Sequence, residues 1–232
     1  MSQTDVADCE VEILEVLELA ENRKGWVVSR PQSFDYQPGQ YMLIEIMEDY
    51  GTPFSLASSP TEPVLKFATV IRQESELKEL MDAKQPGEHF ILSGPFGDLV
   101  YEDEAKVALV AGGIGVTPFV GILKYLTERQ LPTQATLLYS CRSLAAAAFH
   151  DQLEELAGEN EAIRTVYAVT ADPGFAGHQG RIDGDFIRAQ VPDYAERTWF
   201  VAGSPDFVAS INHLLRTELR LRNIKLEVFS GY

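Results

Sequence analysis

Three stretches of this sequence hold residues whose type and spacing could do chemistry. In "AGGIGVTP" (111–118), Gly112, Gly113 and Gly115 follow an apolar run, and Thr117 and Pro118 open a segment of helical spacing. Glycine lets backbone approach a ligand closely, and a helix start offers free amide N–H groups and the positive end of a dipole, so this stretch suits an anion such as phosphate. "AGSP" (202–205) repeats the arrangement: Gly203 ends another apolar run, Ser204 can cap a helix and Pro205 can open it. The third is the terminal "FSGY", which ends on a bare aromatic, Tyr232, next to the pliant Gly231. A ring at a chain end either plugs the core or covers something flat.

Other chemistries find little support. His89, His150, His178 and His213 are scattered and suggest no metal site. There is no nucleophile elbow and no phosphate-binding lysine loop. The two cysteines, Cys9 and Cys141, fit a reduced compartment and are too few for a built-in iron–sulfur cluster. Acidic residues number 35 against 19 basic ones, a net charge of −16, which repels nucleic-acid phosphates and anionic membranes, so neither is an expected partner. No run of apolar residues is long enough to span a membrane, and the acidic start lacks the pattern of a secretory signal, which together predict a cytoplasmic protein.

Two kinds of element must position these residues. Up to about residue 100 the chain predicts short strands at "CEVEILEV", "GWVVSR", "YMLIEIM", "VLKFATVIR" and "HFILSG", separated by Gly and Pro turns. One helix interrupts them at "SELKELMDAK", with Leu77, Leu80 and Met81 on its apolar face. This is the pattern of a small antiparallel barrel. From Lys106 onward, continuous apolar strands ("KVALVA", "ATLLYS", "IRTVYAVT", "RTWFVAG", "IKLEVF") alternate with helical segments, one of them spanning "AAAAFHDQLEELAG". That alternation predicts a doubly wound parallel sheet, with ligands at the carboxyl ends of its strands. The acidic loop "YEDEAK" divides the two, giving domains 1–101 and 102–232.

In order along the chain, "FDYQPGQYM", "TPFSLASSP", "SGPFGDL", "VALVAGGIGVTP", "LLYSCRS", "WFVAGSP" and "EVFSGY" resemble the ferredoxin–NADP reductase superfamily, in particular bacterial NAD(P)H–flavin reductases and reductase components, over nearly the full length. The resemblance implies an N-terminal antiparallel flavin-binding β-barrel followed by a doubly wound, parallel-sheet NAD(P)-binding domain. It implies FAD or FMN as the flavin, with its ring held between the domains for hydride transfer from NAD(P)H. Thr52, Pro53, Phe54 and Ser55 match the family's Arg-x-Tyr-Ser motif, so Phe54 would lie against one flavin face and Ser55 would offer its hydroxyl to flavin N5. Val70 and Arg72 match the strand that borders the flavin pyrimidine edge or phosphates. Gly112, Gly113, Gly115, Thr117, Pro118 and Gly203 would hold the nicotinamide dinucleotide, and Arg142 would contact its pyrophosphate or adenosine end. Tyr232 matches the terminal aromatic that shields the second flavin face.

The pattern departs from the family at three points. Thr52 replaces the arginine that grips flavin phosphate. In "RQES", Ser75 is kept but Arg72 stands where the family's helix-start glycine would be. Ala202 stands where many relatives have a cysteine beside the nicotinamide. The first two losses weaken the phosphate grip; a charged hydrogen bond is worth on the order of 1.5–3 kcal/mol, or about one to two decades of affinity. The leading expectation is therefore an oxidoreductase moving hydride from NAD(P)H to a loosely held flavin. The alternatives are an FAD-containing reductase component that feeds a separate ferredoxin or oxygenase, and a non-enzymatic nucleotide-binding regulatory subunit. The lack of an acid–base pair fits flavin chemistry, where the cofactor carries the reaction. Arg142 and Ser143 suit a 2′-phosphate, with NADH and NADPH both open.

Overall fold

The computed structural model describes residues 6–47, 50–72 and 75–229. Its first half is an antiparallel sheet of β1 (Val6–Ala20), β2 (Arg23–Ser29), β3 (Tyr41–Met47), β4 (Tyr50–Ser55), β5 (Val64–Val70) and β6 (His89–Phe96), with α1 (Glu76–Ala83) between the last two. The strand order is β4-β3-β6-β1-β2-β5, and the end strands β4 and β5 touch, so the sheet curls into a barrel-like form. Alternation does what period two requires: Val11 and Ile13 point inward while Glu10 and Glu12 face water. The register then slips between Ile13 and Glu15, and Leu14 is left exposed. Trp26 and Phe67 stack inside with ring centroids 5.4 Å apart, against Phe34, Met42 and Phe90.

Two features of this half differ from the expectation. Strand β4 was hidden because it contains Pro53; the strand lies at the edge of the sheet, where a missing amide donor is tolerated. Helix α1 turns Lys78 and Met81 inward, while Leu80 is left exposed on its flank.

The second half is a parallel sheet of β7 (Lys106–Gly112), β8 (Gln134–Cys141), β9 (Ile163–Val169), the two-residue β10 (His178–Gln179), β11 (Thr198–Gly203) and β12 (Ile224–Val228). Helices α2 (Thr117–Glu128), α3 (His150–Glu159), α4 (Gly184–Gln190) and α5 (Pro205–His213) join them, and the order is β10-β9-β8-β7-β11-β12. The chain enters at central β7, builds outward to β10, then returns to the other side of β7 with β11. The switch point between these directions lies beside β7, where such folds bind ligands. Residues 107–111 of β7 are buried on both faces, as a continuous apolar run demands. Helices α2 and α3 cover one face and α4 and α5 the other. Ala57, Ala68, Leu99 and Tyr101 join the first of these cores, so barrel and sheet share packed interior. Lys124 of α2 also reaches Glu62 of the barrel half at 2.7 Å.

Helix α3 starts at His150, later than its sequence suggests. Phe149 sits in the left-handed region at φ 61° and breaks the helical path, and Ala146, Ala147 and Ala148 are packed in a buried turn. Among the described residues no helix is long and apolar enough to cross a membrane.

Candidate functional site

A cavity of about 590 Å³ opens at the barrel rim, and one of about 390 Å³ at the carboxyl ends of β7 and β8. Both are lined by Val70, Arg72 and Ile114, so they form one groove running from barrel to sheet. The larger end is the size of an ordinary cofactor site.

At the barrel end, β4 delivers Thr52, Pro53, Phe54 and Ser55 to the wall, together with Val70, Arg72 and Ser75. Pairing of β4 with β3 sets Phe54 opposite Met42 and Ser55 opposite Tyr41. The Phe54 ring is buried, packed 5.2 Å from the Phe67 ring. Ser75 caps α1 by accepting a hydrogen bond from the Lys78 amide. The Ser55 hydroxyl donates to Glu227 Oε2 at 3.1 Å, tying β4 to β12, the last strand of the parallel sheet. Burial pushes the Glu227 carboxyl up to about 7, with the Ser55 hydrogen bond pulling the other way. This pair can therefore hold or release a proton near neutrality, at a point where the two halves of the chain meet.

Lys78 contributes a second feature that its sequence does not announce. Its residue is only 7% exposed, its Nζ donates to Thr69 Oγ1 at 2.6 Å, and the same Nζ lies 5.1 Å from the centre of the Phe54 ring. Desolvation, with Arg72 adding repulsion, pulls its ammonium down to about 8.

At the sheet end the groove is lined by Gly112, Gly113, Arg142, Ser140, Ser204 and Phe207, with Arg23 and Arg72 reaching in from the barrel half. Three arginines at one site in a chain of net charge −16 make a local well for an anion. Gly113 adopts φ +55° with open space where a side chain would stand. Gly112 serves packing as well: an added Cβ would stand 2.7 Å from the Phe207 ring, which closes over it. Burial pushes the Cys141 thiol up to about 11, which leaves it a poor nucleophile.

Several expected site residues are placed elsewhere. Thr117 is the first residue of α2, after Val116 at the cap position, and its buried hydroxyl donates to the Ile114 carbonyl at 2.7 Å. Pro118 is buried one residue later. Gly115 faces the β11 backbone, where an added Cβ would stand 2.4 Å from the Ala202 carbonyl oxygen. Gly203 likewise makes room for Phe207. These four residues line neither end of the groove. Tyr232 lies outside the described residues. Sequence reasoning missed Glu227, Lys78 and Arg23. A carboxylate inside the apolar strand "IKLEVF" was the available signal for Glu227.

The residues at the barrel end fit a flavin. The barrel end combines an apolar wall (Phe54, Val70), hydroxyls (Thr52, Ser55, Ser75) and a buried cation with no carboxylate partner among the described residues. Among the described residues no group of His, Cys, Asp and Glu is placed to hold a metal ion.

Known proteins resemble this chain in sequence and in fold. The family model for the oxidoreductase NAD-binding domain matches residues 109–213. The glycine betaine monooxygenase reductase subunit of Chromohalobacter salexigens is 25% identical over 203 residues, covering 83% of this chain and 55% of that protein. An NADPH oxidoreductase of Mycobacterium tuberculosis is 32% identical over 178 residues, covering 72% of this chain and 45% of that protein. The chain thus spans about half the length of the curated relatives it matches. In fold it is similar to a ferredoxin NADP⁺ reductase from Neisseria gonorrhoeae with bound FAD and NADP, with a TM-score of 0.81 at 21% identity, covering 96% of this chain and 98% of that one.

Proposed function

This chain belongs to the ferredoxin–NADP reductase superfamily, and on that premise we propose that it is an NAD(P)H-dependent flavin oxidoreductase. Residues 1–101 are the flavin-binding domain and 102–232 the nicotinamide-binding domain. The observation that carries the reading is the Ser55–Glu227 contact at 3.1 Å, in a groove joining the barrel wall to the glycine turn after β7.

When bound at the barrel end, FAD or FMN supplies the acceptor for the hydride of reduced nicotinamide. The chain's own residues orient and insulate. Phe54 and Val70 give the ring an apolar wall, while Thr52, Arg72, Ser75 and Lys78 offer donors to its polar and phosphate parts. Gly112 and Gly113 let the second nucleotide approach the β7 end, and Arg23 and Arg142 meet its negative charge. Ser55 Oγ, backed by a carboxyl that titrates near 7, holds a proton where hydride transfer changes the charge of the acceptor. Interactions that strengthen as that charge develops raise the rate, where uniform binding would not.

A second reading concerns the electron's destination. The Chromohalobacter relative is a monooxygenase reductase subunit roughly twice the matched length, and a fold neighbour is the ferredoxin reductase of carbazole 1,9a-dioxygenase. By that analogy the flavin passes electrons to a separate protein acceptor. The test is oxidation of NADH and of NADPH by the purified protein, with FAD, FMN or riboflavin supplied and ferricyanide as a one-electron acceptor. Turnover supports the proposal, and retained yellow colour after gel filtration with ferricyanide turnover favours the second reading. No turnover with any combination overturns both.

A further inference from the structure

The inward face of α1 poses an energetic puzzle. Lys78 is buried there, 7% exposed, while Leu80 of the same helix is 44% exposed. Exchanging an apolar side chain for an ammonium at an inward position is unfavourable unless the charge gains a partner. Among the described residues its contacts are the Thr69 hydroxyl and the Phe54 ring face, neither of which neutralises it, and its charged neighbour Arg72 carries the same sign. Both cations line the barrel end of the groove with Thr52 and with Ser75, which starts α1, whose first-turn amides carry the positive end of the helix dipole.

We propose that Lys78 is the phosphate-binding cation of the flavin site, taking over from a different element the charge that Thr52 lacks. The inference rests on the flavin reading above. It reverses one expectation drawn from the sequence, that the phosphate grip is weak: the cation has moved from strand β4 to helix α1. Lys78 lines the groove together with Thr69 and Phe54, its Nζ 2.6 Å from the Thr69 hydroxyl and 5.1 Å from the centre of the Phe54 ring, so a ligand at that wall lies beside the cation.

Fluorescence titrations of riboflavin, FMN and FAD against the full chain, its Lys78→Met variant and its Lys78→Arg variant test this. Lys78→Met is expected to weaken FMN and FAD by about ten- to a hundredfold, with riboflavin changed by no more than about twofold, and Lys78→Arg to keep most of the phosphate preference. The flavin-free Lys78→Met protein is expected to melt no lower than the unaltered one, since an uncompensated buried charge has gone. Equal weakening of all three flavins would assign Lys78 to the ring and overturn the inference, as would unchanged FMN affinity. A collapse of the melting temperature with loss of all binding would make Lys78 a structural residue. An unaltered protein that binds no flavin would defeat the proposed function itself, a result distinct from the others.

Discussion

The two ends of the groove are built on different principles. At the sheet end the backbone does the work: Gly112 and Gly115 let chain segments and the Phe207 ring pack at distances no side chain would allow, and Gly113 turns through a positive φ. At the barrel end side chains from distant elements are brought together, Ser55 from β4, Lys78 from α1 and Glu227 from β12, and burial shifts the proton affinity of two of them. A backbone-built site should therefore fail by misfolding, and a side-chain-built site should fail by losing rate or selectivity while the fold survives.

The largest expected effect tests the first half of that contrast. Gly115→Val would drive a side chain into the Ala202 carbonyl, and backbone cannot give way cheaply, so a destabilisation of about 3 kcal/mol or more is expected. Thermal melting checks it, with loss of nicotinamide binding following the loss of fold. A normally stable Gly115→Val protein would show that this turn is not held against β11.

Next in size is Ser55→Ala. It should slow flavin reduction by about ten- to a hundredfold at saturating flavin, with flavin affinity and melting temperature almost unchanged. Stopped-flow reduction and a binding titration on one preparation separate the two, and an unaltered rate would remove Ser55 from the chemistry.

Glu227→Gln comes third and is read in its pH dependence. The folded carboxyl titrates near 7, above its unfolded value of about 4.3, so the folded state favours the protonated form. The stability this lends is fully present below the unfolded value and is lost as pH rises through about 7, an effect on the order of 1–3 kcal/mol, reduced because Glu227 is only partly covered. The Gln variant should gain melting temperature relative to the unaltered protein at alkaline pH and match it in acid. A constant offset across pH would mean the carboxyl is not perturbed.

The smallest effect is Thr52→Arg. With Lys78 already in the groove, an added guanidinium should tighten FMN and FAD only about three- to tenfold and leave riboflavin alone. Equal tightening of all three would place position 52 away from the phosphate.

The same contrast explains what the sequence revealed. The parallel sheet and its glycine turn were legible because doubly buried strands are continuous apolar runs, and Gly112 and Gly113 advertise a backbone need. Even there, the sequence could not tell a glycine that lines the groove from one that faces a neighbouring strand, and Gly115 does the latter. At the barrel end, Pro53 concealed β4 because propensity ignores where a strand sits in its sheet. Lys78 stayed hidden because helical periodicity rewards Leu80 for being apolar, whereas the folded helix leaves Leu80 exposed and turns Lys78 toward the groove. Glu227 lies 172 positions from Ser55, and only tertiary structure makes them a pair.

The central claim is that one groove brings a flavin at the barrel wall within reach of a nicotinamide at the end of β7. Anaerobic mixing of the flavin-loaded protein with NADH, and separately with NADPH, tests it most directly through the visible absorbance of the flavin. The account predicts that at least one nicotinamide bleaches the flavin in a fast phase that saturates with nicotinamide concentration and slows in Ser55→Ala. A flavin that stays coloured with both nicotinamides would contradict it.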